Sequence, residues 1–288
     1  MNRSYLFVPA DSERKLNRAS QAGADALILD LEDSVAVDAK PAARALARDY
    51  LEGRDDAWVR INPLDTDHFP ADLEAVLPAA PAGIVLPKAR SAADAAALAA
   101  QLDVLEKANG IADGATQIIV LCTERPEGLF ALDSYRETTP RLAGLSWGAE
   151  DLSAAVGASV KRDEAGDWLP PYAMARSLCL FAAAAAEVAA IDTVFTDFRD
   201  AGGLARFASN ARRDGFTGML AIHPAQVDVI NRAFVPTAAE VERAERIIAL
   251  FEANPGAGTL GMDGEMIDRP HLVQAQRILR LARRLAAL

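Results

Sequence analysis

The sequence predicts an α/β fold, a TIM-type (β/α)8 barrel followed by a C-terminal helical extension with a lid loop. Three observations lead there. Short β-rich runs recur along the chain, each followed by a longer stretch rich in Ala, Leu, Arg and Glu that suits a helix. Eight such runs are present, the number that closes a parallel barrel. They are nearly continuous in apolar residues, as parallel strands covered on both faces should be, where a solvated antiparallel sheet would alternate. At 288 residues, 51% of them hydrophobic, the chain lies within the range that α/β barrels occupy as one unit.

The predicted strands are residues 5–8, 26–29, 57–61, 83–86, 117–121, 142–146, 193–195 and 218–222. Between them, residues 12–22, 91–108, 172–190 and 204–214 read as helices without an internal proline, and Gly215 is placed to cap the last. Beyond the eighth strand, Pro236-Thr237 opens an amphipathic stretch over residues 238–253 that stops at Asn254-Pro255-Gly256. A Gly-rich turn region at 256–267 and a basic helix at 270–288 follow. The expected organisation is therefore a barrel over residues 1–235 and an extension over 236–288 that packs on its own barrel or on a neighbour's.

Composition excludes several partners. The chain holds 41 acidic and 30 basic residues, a formal charge of -11, with no Lys/Arg-rich run to neutralise nucleic-acid phosphates. The apolar stretch at residues 5–8 is too short for a signal segment, and the Ala-dominated run at 178–186 falls well short of a membrane span. A cytoplasmic protein with no membrane segment is expected. Cys122 and Cys179 are far apart in sequence and show no C-x-x-C spacing, so they are expected to be buried apolar residues.

Nearly every predicted strand runs out into a polar or special residue: Pro9, Asp30, Arg60 with Asn62, Lys88, Glu124, Gly148 with Glu150 and Asp151, Asp197, and His223. In a barrel these ends share one face, so residues scattered in sequence converge on one site. Glu124 and Asp151 follow neighbouring strands, and two carboxylates with waters and substrate oxygens suit a hard divalent cation. They could equally cap the helices that follow. Arg60 stands in an otherwise apolar strand and should point into the site, for a carboxylate or an enolate oxygen, unless it only pairs with Asp30. The acids Asp30, Glu32 and Asp33 repel unless cations or backbone donors meet them, with Asp33 or Ser34 also fit for a helix cap. Lys88 is either a salt-bridge partner or a Schiff-base amine. His68, His223 and His271 lack H-x-x-x-H spacing, which speaks against a zinc hydrolase.

The motifs Ser4-Tyr5-Leu6-Phe7-Val8-Pro9-Ala10, Leu29-Asp30-Leu31-Glu32-Asp33-Ser34-Val35, Arg60-Ile61-Asn62-Pro63, Leu86-Pro87-Lys88 and Gly148-Ala149-Glu150-Asp151-Leu152 come in this order. Asp197-Phe198-Arg199-Asp200, Ala221-Ile222-His223-Pro224-Ala225-Gln226-Val227 and Asp263-Gly264-Glu265-Met266-Ile267-Asp268 complete the series. Together, from about residue 3 to 285, they resemble the citrate lyase β-subunit-like CoA ester lyases of the HpcH/HpaI aldolase superfamily.

The resemblance implies a metal-dependent carbon-carbon lyase that cleaves or forms a β-hydroxyacyl-CoA, such as malyl-CoA or citramalyl-CoA, giving a 2-oxo acid and an acyl-CoA. It makes Glu124 and Asp151 the ligands of Mg2+ or Mn2+, and Arg60 the stabiliser of the enolate oxygen, with Asp30 and Glu32 as further catalytic residues beside it. Asp263 becomes a general acid or base lent to an adjacent subunit of a homotrimer or homohexamer. Phe7, Arg14, Lys15, Lys88, Gly148 and the Ile222-His223-Pro224 segment would bind the substrate and its CoA arm. The alternatives are a class II aldolase on free 4-hydroxy-2-oxo acids, an acyl-CoA thioesterase, or a citrate lyase β-subunit acting only with an acyl carrier partner. Two departures touch ligand-facing positions: Arg125 stands where the family has Thr, and Met219-Leu220 replaces a Lys-containing segment. The loop Asp65-Thr66-Asp67-His68 has no assigned role.

Overall fold

The computed structural model describes residues 2–54 and 56–286. Its first compact unit, Met1–Ala233, alternates strand and helix: β1 (Ser4–Pro9), α1 (Glu13–Ala19), β2 (Ala26–Asp30), α2 (Lys40–Leu51), β3 (Ala57–Arg60), α3 (His68–Val76), β4 (Gly83–Leu86) and α4 (Ala92–Asn109). It continues with β5 (Gln117–Leu121), α5 (Pro126–Leu129), β6 (Leu142–Ser146), α6 (Ala149–Ala155), α7 (Pro170–Ala185), β7 (Ala189–Asp192), α8 (Ala201–Asp214), β8 (Gly218–Ala221) and α9 (Pro224–Ala233). The eight strands are parallel and close in sequence order, β8 returning to β1 with Ser4 opposite Met219 and Tyr5 opposite Leu220. This is the expected (β/α)8 barrel.

Local chemistry explains the element ends. Ser12 caps α1 by accepting the Lys15 N–H, and Ser91 caps α4 by accepting the Ala93 N–H. Gly215, at φ 116°, ends α8 as expected. Inside the barrel, Tyr5, Ile28, Trp58, Val85, Ile119, Leu121, Ile191 and Leu220 pack into one apolar cluster, so the interior is filled rather than open. Cys122 and Cys179 are buried as free thiols, their Sγ atoms 3.7 Å apart.

The seventh strand departs from the expectation. It spans Ala189–Asp192, not residues 193–195, and the helix before it stops at Ala185 rather than running to 190. The stop is a Schellman motif without glycine: Glu187 takes the left-handed conformation at φ 57°, Val188 N–H bonds to Ala183 O, and Glu187 N–H to Ala184 O. An Ala-rich run with good helix propensity gives no warning of that stop. Asp197 accordingly does not end a strand; it sits in an exposed turn and accepts the Arg199 N–H at 3.0 Å.

The second unit, Phe234–Leu288, contains α10 (Ala238–Ala253), β9 (Thr259–Met262), β10 (Glu265–Asp268) and α11 (Arg269–Ala286). A capping box joins Thr237 and Glu240 at the start of α10. The region read as a Gly-rich lid loop is an antiparallel hairpin, Met262 paired with Glu265, and its turn residues Asp263 and Gly264 both have positive φ, 54° and 83°. Asp-Gly is the pair that such a two-residue turn favours. Ala244, Ile247, Met262, Ile267, Ala275 and Leu279 form the core of this unit. Ala287 and Leu288, the end of the predicted last helix, lie outside the described residues. Among the described residues no helix is long and apolar enough to cross a membrane.

Candidate active site

At the C-terminal ends of the strands a cavity of about 380 Å³ is lined by residues from most of the barrel, among them Phe7, Asp30, Arg60, Glu124, Gly148, Asp151 and Ile222. Seven of the fourteen expected site residues thus meet in one place, as strand-end convergence predicts. Two more, Glu32 and Lys88, join them through ion pairs.

Arg60 organises the acidic loop after β2. Its Nε and Nη2 donate to the two oxygens of Asp30 at 2.7 and 2.6 Å, and its Nη1 stands 3.0 Å from Glu32 Oε2. Burial alone would disfavour the guanidinium charge, but Asp30, Glu32 and Glu124 outweigh it and hold the group charged. Both sequence readings of Arg60 are therefore realised: it pairs with Asp30 and it faces the cavity. A guanidinium carries five N–H groups, of which these contacts engage three, and the Phe7 ring centroid lies 4.7 Å from the guanidinium carbon.

The carboxylates differ by environment. Asp30 is buried, which would raise its pKa, yet Arg60 and the backbone N–H groups of Glu32 and Ser34 bring it below its ordinary value. Glu32 is pushed up by burial against the opposing pull of Arg60 and Lys88. It is not a solvated side chain, since only 2% of it is exposed. Buried Lys40, which the motifs did not flag, donates to the carbonyls of Leu31 and Glu32 at 2.7 and 2.8 Å and so fixes the loop from behind. The Lys88 ammonium pairs with Glu32 Oε1 at 2.6 Å and Asp33 Oδ2 at 2.9 Å, and the same acids raise its pKa over the opposing effect of burial. A Schiff-base role needs a neutral amine, so the salt-bridge reading holds.

Glu124 is buried, and its Oε2 accepts the Lys88 backbone N–H at 2.5 Å rather than capping a helix. Its carboxyl is pushed up to about 8, first by burial, then by the negative charges of Asp151 and Glu32, with Arg60 pulling the other way. Asp151 lies in the first turn of α6, where an acidic residue also suits the helix, and its carboxylate faces the same cavity. Two oxygen donors from adjacent strand ends, mutually repulsive and opening on a space that admits waters, form the kind of set that Mg2+ takes. Among the described residues no three His, Cys, Asp or Glu side chains are grouped to hold a metal by themselves, so an ion here would draw its other ligands from water and substrate.

Gly148 makes room for this pair. Its backbone, φ -113° and ψ 100°, suits any residue, but an added Cβ would lie 2.4 Å from Glu124 Cγ. Gly148→Ala is therefore expected to displace the Glu124 carboxylate while sparing the fold. A shift of that kind costs roughly 10²-fold in kcat/KM, measurable beside an unchanged thermal melt. Full activity in the variant would show that the close approach is dispensable.

Arg14, Lys15, His223 and Pro224 are not among the residues that line the cavity. Arg14 and Lys15 are exposed on α1, Lys15 pairing with Asp11 at 3.4 Å. His223 stacks on Phe198 at 4.8 Å between centroids, and its turn with Ile222 is held by Gln226, whose Oε1 accepts both backbone N–H groups. Pro224 begins α9. Asp263 belongs to the second unit, where it is exposed in the hairpin turn and paired with Arg246 at 2.7 Å.

Sequence reasoning missed the support behind Trp147, which lines the cavity beside Gly148. Its Nε1 donates to Asp192 Oδ1 at 2.7 Å, and Asp192 Oδ2 in turn accepts from Arg176 at 2.8 and 3.0 Å. The misplacement of β7 hid Asp192, which ends that strand. The unassigned Asp65 meets Arg125 at 2.9 Å, so two features left separate in sequence form one ion pair.

The profile of the HpcH/HpaI aldolase/citrate lyase family matches residues 3–224. A (3S)-malyl-CoA thioesterase of Cereibacter sphaeroides is 35% identical over 99% of this chain and 96% of its own length. The citrate lyase subunit beta of Leuconostoc mesenteroides is 33% identical over 98% and 93%. Among solved structures, the CitE protein of Mycobacterium tuberculosis in complex with magnesium, acetoacetate and coenzyme A superposes with a TM-score of 0.83 at 34% identity, covering 97% of each chain.

Proposed function

The chain belongs to the HpcH/HpaI aldolase/citrate lyase family, an enzyme family of lyases, and from that premise we propose that it cleaves or forms a carbon-carbon bond in a β-hydroxyacyl-CoA such as malyl-CoA or citramalyl-CoA. The observation that carries the reading is the convergence of Glu124, Asp151 and Arg60 on one cavity. Cleavage breaks the bond between the α- and β-carbons. The β-hydroxyl gives up its proton as the β-carbon becomes the carbonyl of a 2-oxo acid, and the electron pair passes to the thioester, which becomes an enolate and then takes a proton at the α-carbon.

In this reading Glu124 and Asp151 hold a divalent ion, which supplies Lewis acidity toward the oxygens of the 2-oxo acid. Magnesium is the ion held by the solved CitE relative, and it is favoured over manganese on that ground. Arg60 would donate to the enolate oxygen, with Asp30 and Glu32 fixing the guanidinium in place. Phe7 and the Ile222-His223-Pro224 turn serve the substrate arm, and the exposed Arg14 and Lys15 serve CoA phosphates. A cytoplasmic homotrimer or homohexamer completes the proposal.

A coupled assay with malyl-CoA and citramalyl-CoA in the presence of Mg2+ tests it, with a 2-oxo acid and acetyl-CoA as the expected products. No turnover of either thioester would count heavily against the lyase. A second reading, hydrolysis of the thioester, is favoured by the malyl-CoA thioesterase relative. Release of free CoA without a 2-oxo acid would select it. Pyruvate formation with no thioester present would select an aldolase, and activity of the isolated chain would remove the need for an acyl carrier partner.

Asp263 is proposed as a general acid or base contributed from an adjacent subunit. Mixing an Asp263→Ala chain with a Glu124→Ala chain is then expected to restore part of the activity that each lacks alone. Absence of any rescue after reassociation would place the residue in its own chain's site or outside catalysis.

A further inference from the structure

Among the described residues Lys88 is one of the few non-glycine residues with positive φ, 54°, and its groups touch the candidate site. Two contacts explain why that conformation persists. Its backbone N–H points at Glu124 Oε2 (2.5 Å), and its ammonium reaches Glu32 (2.6 Å) and Asp33 (2.9 Å), with Asp151 Oδ1 at 3.6 Å. The φ torsion turns about the N–Cα bond, so it sets where the side chain departs relative to the residue's own N–H. At the left-handed value one residue faces Glu124 with its backbone and the loop after β2 with its side chain. An unbranched residue other than glycine, Asn or Asp adopts this value only when its surroundings enforce it.

We infer that Lys88 is a positioning residue for the metal site: its left-handed backbone aims an N–H at the Glu124 carboxylate, and its ammonium, tied to Glu32 and Asp33, holds that backbone in place. This rests on the assignment of Glu124 and Asp151 as ligands. The two halves of the residue act on the ion with opposite sign. The N–H fixes one ligand oxygen and favours binding, whereas the ammonium near Asp151 is a competing cation and opposes it.

That opposition makes the inference testable with Mg2+ alone, by calorimetric titration of the full chain without substrate. Lys88→Gly and Lys88→Asn tolerate positive φ and lack the charge. They are expected to bind Mg2+ as tightly as the wild type or up to ~10-fold more tightly. Lys88→Val disfavours positive φ and also lacks the charge, and it is expected to weaken binding by ~10-fold or more. If Lys88→Val does not give a cooperative thermal melt, Lys88→Ala, which carries the left-handed penalty with little bulk, takes its place. Gly and Val variants that shift in the same direction, or that both stay within about twofold of the wild type, overturn the inference while leaving the metal assignment intact. A wild-type protein that binds no Mg2+ overturns the metal assignment and this inference with it.

Discussion

Glu124→Gln is expected to remove turnover by ~10³-fold or more, the scale of several kcal/mol of charge stabilisation lost with a catalytic cation, and at the same time to stabilise the metal-free protein. The second effect follows from the environment of the carboxyl. Burial and the charges of Asp151 and Glu32 raise it from 4.5 to about 8 in the folded chain. The unfolded chain therefore loses its proton first as pH rises, and folded-state stability in EDTA falls from pH 4.5 to about 8, by on the order of 3 kcal/mol at pH 7. Glutamine keeps an oxygen for the Lys88 N–H and carries no charge, so the variant should lose the share of that fall due to Glu124 and show a shallower profile, the share due to buried Glu32 remaining. Saturating Mg2+ should raise the melting temperature of the wild type and leave the variant unmoved. Denaturation in EDTA at several pH values, thermal melts with and without Mg2+, and kcat measured in parallel check these outcomes. A variant that turns over normally would dismiss Glu124 as a ligand.

The barrel was legible because its signal repeats. Eight apolar runs with turns between them are a periodic pattern, and periodic patterns survive local ambiguity. The one strand misplaced, Ala189–Asp192, is the one whose sequence argues for helix, Ala189-Ala190 following a run of alanines. Pairing with β6 and β8 settles the conformation there, and pairing partners are remote in sequence. The stop before it uses Glu187 in a conformation usually supplied by glycine. The hairpin around Asp263-Gly264 was hidden differently, because glycines at 256, 258, 261 and 264 read as loop, although within the hairpin only the turn itself needs one.

The candidate site was legible where chemistry sits on a strand end and illegible where it comes from behind. Asp30, Arg60, Lys88, Glu124 and Asp151 break apolar runs and could be named from residue type and position. Lys40 could not, since nothing in its own helix marks it as the group that holds the carbonyls of Leu31 and Glu32. Nor could Asp192, whose partners Trp147 and Arg176 lie 45 and 16 residues away. These groups position other residues, and positioning is a property of long-range packing. Arg14, Lys15 and Asp263 were named by resemblance, and their contacts leave the roles to experiment.

Arg60 separates stability from chemistry most cleanly. Arg60→Met is expected to lower kcat by ~10²–10³-fold, the range for loss of one oxyanion donor, and to destabilise the fold by roughly 3–5 kcal/mol by leaving Asp30 and Glu32 buried without their partner. Arg60→Lys keeps a charge but cannot make the forked contact with Asp30, so it should recover part of the stability and little of the rate. The triple variant Arg60→Met, Asp30→Asn, Glu32→Gln removes the stranded charges together with the cation. Its stability should return toward the wild type while its turnover stays lost, because neutralising the acids repairs the burial of charge and restores no donor to the enolate oxygen. Urea denaturation and kcat on the three proteins decide the matter. If activity returns with stability in the triple variant, Arg60 serves only to neutralise its acidic neighbours, and the stabilisation of the enolate must come from another group on the cavity wall.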